Sequence, residues 1–230
     1  MSHFNLAVFT HTDDSCELEA LLAPFTEDVD ADSPYAEFEE DADAELDATT
    51  GKRGYWFNPN AKHDYWLLGG RWRGQIKLQK GKTGRYGEAS WTRKGEPNDP
   101  TRCDCAKVRD CDFSPSEAVC TRAVRFWEVV VEGKPLQEGE NQDDFISFYS
   151  KEHYLKQYKI KEQYADSCSH FATYAYLTPA GEWVQTGEMG WFGLDDATAE
   201  SRKSYETAFA EYLKEATEQD LYINIVDCHI

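Results

Sequence analysis

Residues 221–230 read LYINIVDCHI, and residues 4–10 read FNLAVFT. Both runs are rich in β-branched and aromatic residues and hold no Gly or Pro, so each predicts a buried strand. A strand at either end of 230 residues implies one sheet that gathers both. The expected fold class is therefore α+β: a single domain over 1–230, with a mixed or antiparallel sheet containing both terminal strands and three to four helices packed on it. Side chains alternate along a strand, so Asp227 and His229 share a face while Cys228 points the other way. An Asp-His pair is thus the better geometric expectation than a Cys-His pair. His229 would be the acid or base and Asp227 its orienting partner. The plain alternative is a capped chain end.

Working inward, Asp13, Asp14 and Ser15 offer caps to a short helix over about 16–22, which Pro24 ends. Ser114 and Pro115 open a helix or helix-to-strand run over about 115–132. Asp143 and Asp144 open another to about Ala165, with Phe145, Phe148, Tyr149, Leu155 and Tyr158 as core positions. Residues 171–177 and 182–186 predict a hairpin around Thr178-Pro179-Ala180-Gly181. Asp195 and Asp196 cap a last helix to about Ala216, whose Tyr205, Phe209, Tyr212 and Leu213 share a face. Arg73 to Leu78 and Tyr86 to Thr92 read as strands around a glycine-rich turn.

Charge is unevenly spread. The net charge of −19 repels nucleic acid and anionic membranes on average. Residues 27–47 hold eleven acidic residues and no basic ones. Tyr35, Phe38, Ala42 and Leu46 follow helical spacing there, so a solvated helix with a mobile start is expected. A surface that imitates phosphate charge, aimed at a basic host protein, is the sharper reading. Residues 51–94 reverse the sign, with eleven basic residues against Asp64 and Glu88. The two blocks could also neutralise each other across a contact. No run of about 18 apolar residues exists, so no spanning helix and no membrane partner are expected. The start lacks a signal-peptide pattern, which leads to an expected cytoplasmic location.

Within the basic block, residues 58–78 read NPNAKHDYWLLGGRWRGQIKL. Asn58-Pro59-Asn60 is turn chemistry. Gly69-Gly70 permits a sharp turn or a close backbone approach. Arg71, Arg73 and Lys62 suit phosphate or carboxylate, and Tyr65, Trp66 and Trp72 can stack on a base. With Asn58, Asn60 and Asp64 as orienting groups and Trp191 from a second glycine-aromatic cluster at 187–193, these form a candidate ligand site. Two turns around a strand with buried aromatics is the competing account. Cys103, Cys105, Cys111 and Cys120 fall within 18 residues. Their spacing gives one close pair rather than the two that zinc sites usually show, so they are weak metal candidates beside the reading as plain thiols. No cofactor is implied.

HFNLAVFT with LEALLAPF, NPNAKHDYWLLGGRW, GEMGWFG and VDCHI together resemble a family of small uncharacterised proteins of tailed phages and prophages. The family's central motif reads Asn-Pro-Asn, Lys, Trp, Asp and later Gly-Gly-Arg-Trp. This chain matches it at Asn58, Pro59, Asn60, Lys62, Asp64, Gly69, Gly70, Arg71 and Trp72, and departs at His63. The resemblance implies a phage origin, a bacterial host cytoplasm and one domain built from both chain ends. It carries no known reaction. With the arginines and aromatics of the candidate site, the expected role is that of an accessory protein, in host takeover or counter-defence, that binds or processes a nucleotide or other anionic small molecule.

Overall fold

The computed structural model describes residues 2–147, 149–188 and 196–230. Phe148, Asp195 and the Trp191 cluster of the sequence reading lie outside them. Eleven strands and five helices are described. The strands are β1 (His3–Thr10), β2 (Glu37–Glu40), β3 (Gly54–Phe57), β4 (Tyr65–Gly70), β5 (Ile76–Lys77), β6 (Glu88–Ala89), β7 (Arg102–Cys103), β8 (Cys105–Lys107), β9 (Ala175–Leu177), β10 (Trp183–Gln185) and β11 (Tyr222–His229). The helices are α1 (Ser15–Leu22), α2 (Glu117–Val130), α3 (Lys151–Tyr158), α4 (Lys161–Ser169) and α5 (Ala199–Glu218).

The mixed main sheet runs β10-β9-β1-β11-β4-β6, with β8 also on β11. β1 and β11 pair antiparallel along their whole length, from His3 opposite His229 to Thr10 opposite Tyr222. The first half of β11 holds β8 on its other edge and the second half holds β4. Both central strands are buried on both faces, which is why they read as near-continuous apolar runs. Ala7, Phe9, Ile223 and Ile225 face Tyr205, Phe209 and Ala216 of α5. Leu6, Val8, Val226 and Cys228 face Leu18 and Leu22 of α1. The sheet thus has a helix on each side, in one α+β domain. Helices α2 to α4 form a satellite around Trp127, Val131 and Tyr154.

Four expectations need correction. The acidic segment is not helical. Phe38 of β2 packs on Trp56 of β3 at 5.2 Å between ring centroids, in an antiparallel ribbon. Asp41 and Asp47 accept bonds from backbone N–H groups two residues on, which favours turns over a helix. The expected helix from Asp143 to Ala165 is a 3-10 turn followed by two helices, broken at Lys159 with φ +59°. Its Tyr149 and Leu155 are exposed, and the adjacent Tyr154 is buried instead. Further, β5 does not pair with β6. It pairs with β7, while β6 runs parallel to β4. The last helix is capped by Thr198 rather than Asp196.

Candidate functional site: paired histidines beside an arginine cleft

The α5-side face of β1 and β11 is apolar at one end and polar at the other. His3 and Asn5 stand on it opposite His229 and Asp227. Asp227 is 1% exposed. Its Oδ1 lies 2.8 Å from Nδ1 of His3, and its Oδ2 accepts the Arg71 N–H at 2.8 Å. Asp227 therefore does not orient His229, which corrects the expectation drawn from their shared face. His229 finds Asp64 instead, with Nδ1 2.7 Å from each carboxylate oxygen. The two imidazoles meet edge to face at 4.7 Å, and Tyr65 stacks on His229 at 4.7 Å. Each ring spends Nδ1 on a carboxylate. Among the described residues, neither Nε2 has a partner.

The β4 turn is held down by two buried carboxylates. Gly70 has φ +52°, and a Cβ there would stand 2.3 Å from Asp227 Oδ2. Gly69 has φ +85°, and a Cβ there would stand 2.4 Å from Asp104 Oδ2. Asp104 accepts the N–H groups of Gly74 and Gly87. Burial pushes its carboxyl above the usual range, against the pull of those N–H groups and of Arg73 and Arg93. The glycines are therefore needed for close approach to carboxylates of this chain. Asp104, between Cys103 and Cys105, was not singled out by sequence reading.

Clamped in this way, residues 71–75 form one wall of a cleft of about 380 Å³. Arg71, Arg73, Arg93 and Arg102 line it with Trp72, Gln75 and Tyr86, against Glu96 and Asp99. Arg93 pairs with Glu96, and Arg102 lies 3.9 Å from Asp99. Arg73 binds the neutral Asn98 side chain and lies 4.9 Å over the Tyr86 ring. Among the described residues, the exposed Arg71 guanidinium has no partner. Gln75 joins cleft to sheet by accepting a bond from Asn5 at 3.0 Å. Trp91, in the same short helix as Arg93, is 82% exposed.

The structure brings together Asp64, Tyr65, Asp227 and His229, and separately Arg71, Trp72 and Arg73. It draws others away. Trp66 points to the α1 side and packs in that core. Asn58 is buried, donating to the Pro24 and Thr26 carbonyls, so it fastens a loop. Asn60 supplies a backbone N–H to that turn and is exposed. Lys62 lies 3.4 Å from Glu188 and does not line the cleft. His63 is 2% exposed with no hydrogen bond at either ring nitrogen. Burial holds its pKa low. The nearby Leu22 carbonyl, short of hydrogen-bond geometry, and Asp64 offset this only in part.

Cys103 and Cys111 lie in the α5-side core, and burial pushes the Cys103 thiol up to about 12. Cys105 is buried on β8, and Cys120 is half-buried on α2. Among the described residues, no three His, Cys, Asp or Glu side chains converge on a metal position. Reading the sequence missed His3, Arg93 and Arg102. His3 had a usable signal: aligning FNLAVFT antiparallel to YINIVDCH sets it opposite His229. Arg93 and Arg102 had none beyond their charge. No helix of the described residues is long and apolar enough to cross a membrane. Comparison with protein-family models, curated proteins and solved structures finds no match to this chain.

Proposed function

We propose that this chain is a phage accessory protein, serving host takeover or counter-defence, that binds or processes a nucleotide-like, phosphate-bearing ligand. The observation that carries this reading is the arginine cleft. Among the described residues, the Arg71 guanidinium has no partner and Arg73 makes no ion pair, the carboxylate it influences being the buried Asp104, in a chain of net charge −19. An arginine fork suits a phosphate, and Trp72 and Tyr86 of the cleft lining supply aromatic faces for a base. The phage setting rests on the resemblance of NPNAKHDYWLLGGRW and VDCHI alone. Titration calorimetry against nucleoside mono-, di- and triphosphates is the test. Binding should weaken with salt and fall at least about tenfold in Arg71→Ala, the scale of one charge-assisted hydrogen bond. Undiminished binding in the Arg71→Ala, Arg73→Ala double variant would refute the assignment.

A second reading, a DNA-like inhibitor of a basic host protein, has its own support. Ten of the eleven acidic residues in 27–47 are exposed. Among the described residues, only Lys52 with Glu40 makes an ion pair between that segment and the basic block. Neutralising Asp41, Asp43 and Glu45 to their amides should then abolish capture of a basic partner while leaving the melting temperature unchanged. Capture that survives neutralisation rules this reading out.

A further inference from the structure

We infer that His3 and His229 are a general acid–base pair that hydrolyses a phosphodiester bond of the nucleotide ligand. This rests on the arginine cleft being a phosphate site. It adds a reaction, a substrate class and a second catalytic residue.

The geometry has three parts. First, a carboxylate sits on Nδ1 of each ring, Asp227 on His3 and Asp64 on His229, at 2.8 and 2.7 Å. That contact keeps a proton on Nδ1 and leaves Nε2 as the atom that gives or takes one. Second, the two rings meet edge to face 4.7 Å apart, which sets two imidazoles side by side at one end of the sheet. Third, one carboxylate connects the pair to the cleft. The two oxygens of Asp227 hold the His3 ring and the Arg71 N–H. The histidines do not line the cleft itself, and Arg71 stands at the junction. Closing a sheet end needs no such arrangement. The His3–Asp227 pair is buried, and burying such a pair is costly compared with apolar residues of similar size. The groups facing the pair are Asp227 from β11, Asp64 just before β4 and Tyr65 at its start.

The step balances with water as co-reactant. A water oxygen attacks phosphorus while one Nε2 takes the water proton, forming the new P–O bond. The other Nε2, protonated, gives its proton to the leaving oxygen as the old P–O bond breaks. The products are a phosphomonoester and an alcohol. One ring ends protonated and the other neutral, and exchange with solvent resets them. No electron acceptor or donor is required. Arg71 would neutralise the non-bridging oxygens as charge builds on them.

The test uses His3→Asn and His229→Asn. Asparagine keeps a donor near Nδ1 for the carboxylate and removes Nε2, so the fold should hold. Two probes are used: a 3′–5′ dinucleoside monophosphate, whose alkoxide leaving group needs a proton, and the p-nitrophenyl ester of thymidine 5′-monophosphate, whose leaving group does not. Wild type should cleave both with a bell-shaped pH profile. Each variant should lose roughly 10²- to 10⁴-fold in kcat on the dinucleotide and one limb of the profile. Only the variant lacking the base should be impaired on the p-nitrophenyl ester, which identifies the acid. Binding of thymidine 5′-monophosphate is measured alongside. If the nucleotide binds through Arg71 but wild type cleaves neither probe, or either variant keeps full kcat and both limbs, the catalytic inference is wrong. If nothing binds, the cleft reading fails and takes this inference with it.

Discussion

Replacing Gly70 by Ala tests whether Asp227 clamps the β4 turn. Two costs can be separated. The first is conformational: Gly70 sits at φ +52°, where an L side chain costs roughly 1–2 kcal/mol. The second is contact. The new Cβ would lie 2.3 Å from Asp227 Oδ2 and 2.4 Å from Asp227 Cβ, so a rotamer change cannot relieve it and β4 must move from β11. That movement breaks the Arg71 N–H bond to the carboxylate, worth about 1.5–3 kcal/mol for a charged acceptor. The total is about 2.5–5 kcal/mol. Gly81 is the control. It has φ +80° and nothing within 4 Å of a built Cβ, so Gly81→Ala should cost only the first part, about 1–2 kcal/mol. Urea unfolding at pH 7 measures both, with an unchanged m-value required for the comparison. The His3 imidazole signals in an NMR spectrum should shift in Gly70→Ala and stay put in Gly81→Ala. If the two variants lie within about 0.5 kcal/mol of each other, the clamp is not where the geometry puts it.

Phe209→Ala should cost about 3–5 kcal/mol, because Phe209 is 1% exposed between α5 and the sheet; a loss under about 1 kcal/mol in urea would contradict that core. Trp66→Ala should lower the melting temperature yet leave nucleotide affinity unchanged, since the ring packs on the α1 side; lost affinity at full stability would return it to the ligand site. His63 should make stability fall with acidity. Burial keeps its folded pKa below the 6.5 of the unfolded chain, so its contribution is complete above 6.5 and is lost as pH falls from there toward the folded value. Stability of His63→Leu should vary less over that window than wild type, and an identical slope would be evidence against a neutral buried ring. Lys52→Gln should change stability by less than about 1 kcal/mol, since Lys52 and Glu40 are both more than half exposed; a larger loss would make the charge blocks structural partners after all.

The elements legible in the sequence are those whose own residues decide them. FNLAVFT and LYINIV could only be buried strands, α1 declared itself by its Asp14 cap, α2 and α5 by period although their caps fall at Ser116 and Thr198, and the β9–β10 hairpin by its turn residues. The acidic segment misled because Tyr35, Phe38, Ala42 and Leu46 fit a helix, while the deciding contact, Phe38 on Trp56, crosses to another strand. The break at Lys159 carries no Gly or Asn to announce it. In the site, period two set Asp227 and His229 on one face. Their true partners, His3 and Asp64, follow from strand register, which depends on pairing across more than a hundred residues. Arg93 joins Arg71 through a short 3-10 turn and Arg102 through the β5–β7 pairing, to both of which local pattern is blind.

The pairing of β1 with β11 also has a consequence in time. Its contacts join residues as far apart as His3 and Asp227, 224 positions along the chain. Such contacts repay their closure entropy only after the intervening chain has collapsed, so this sheet centre should form late and slowly. The histidine pair straddles that same seam. The constellation proposed as catalytic is therefore assembled only once β1 and β11 have zipped together.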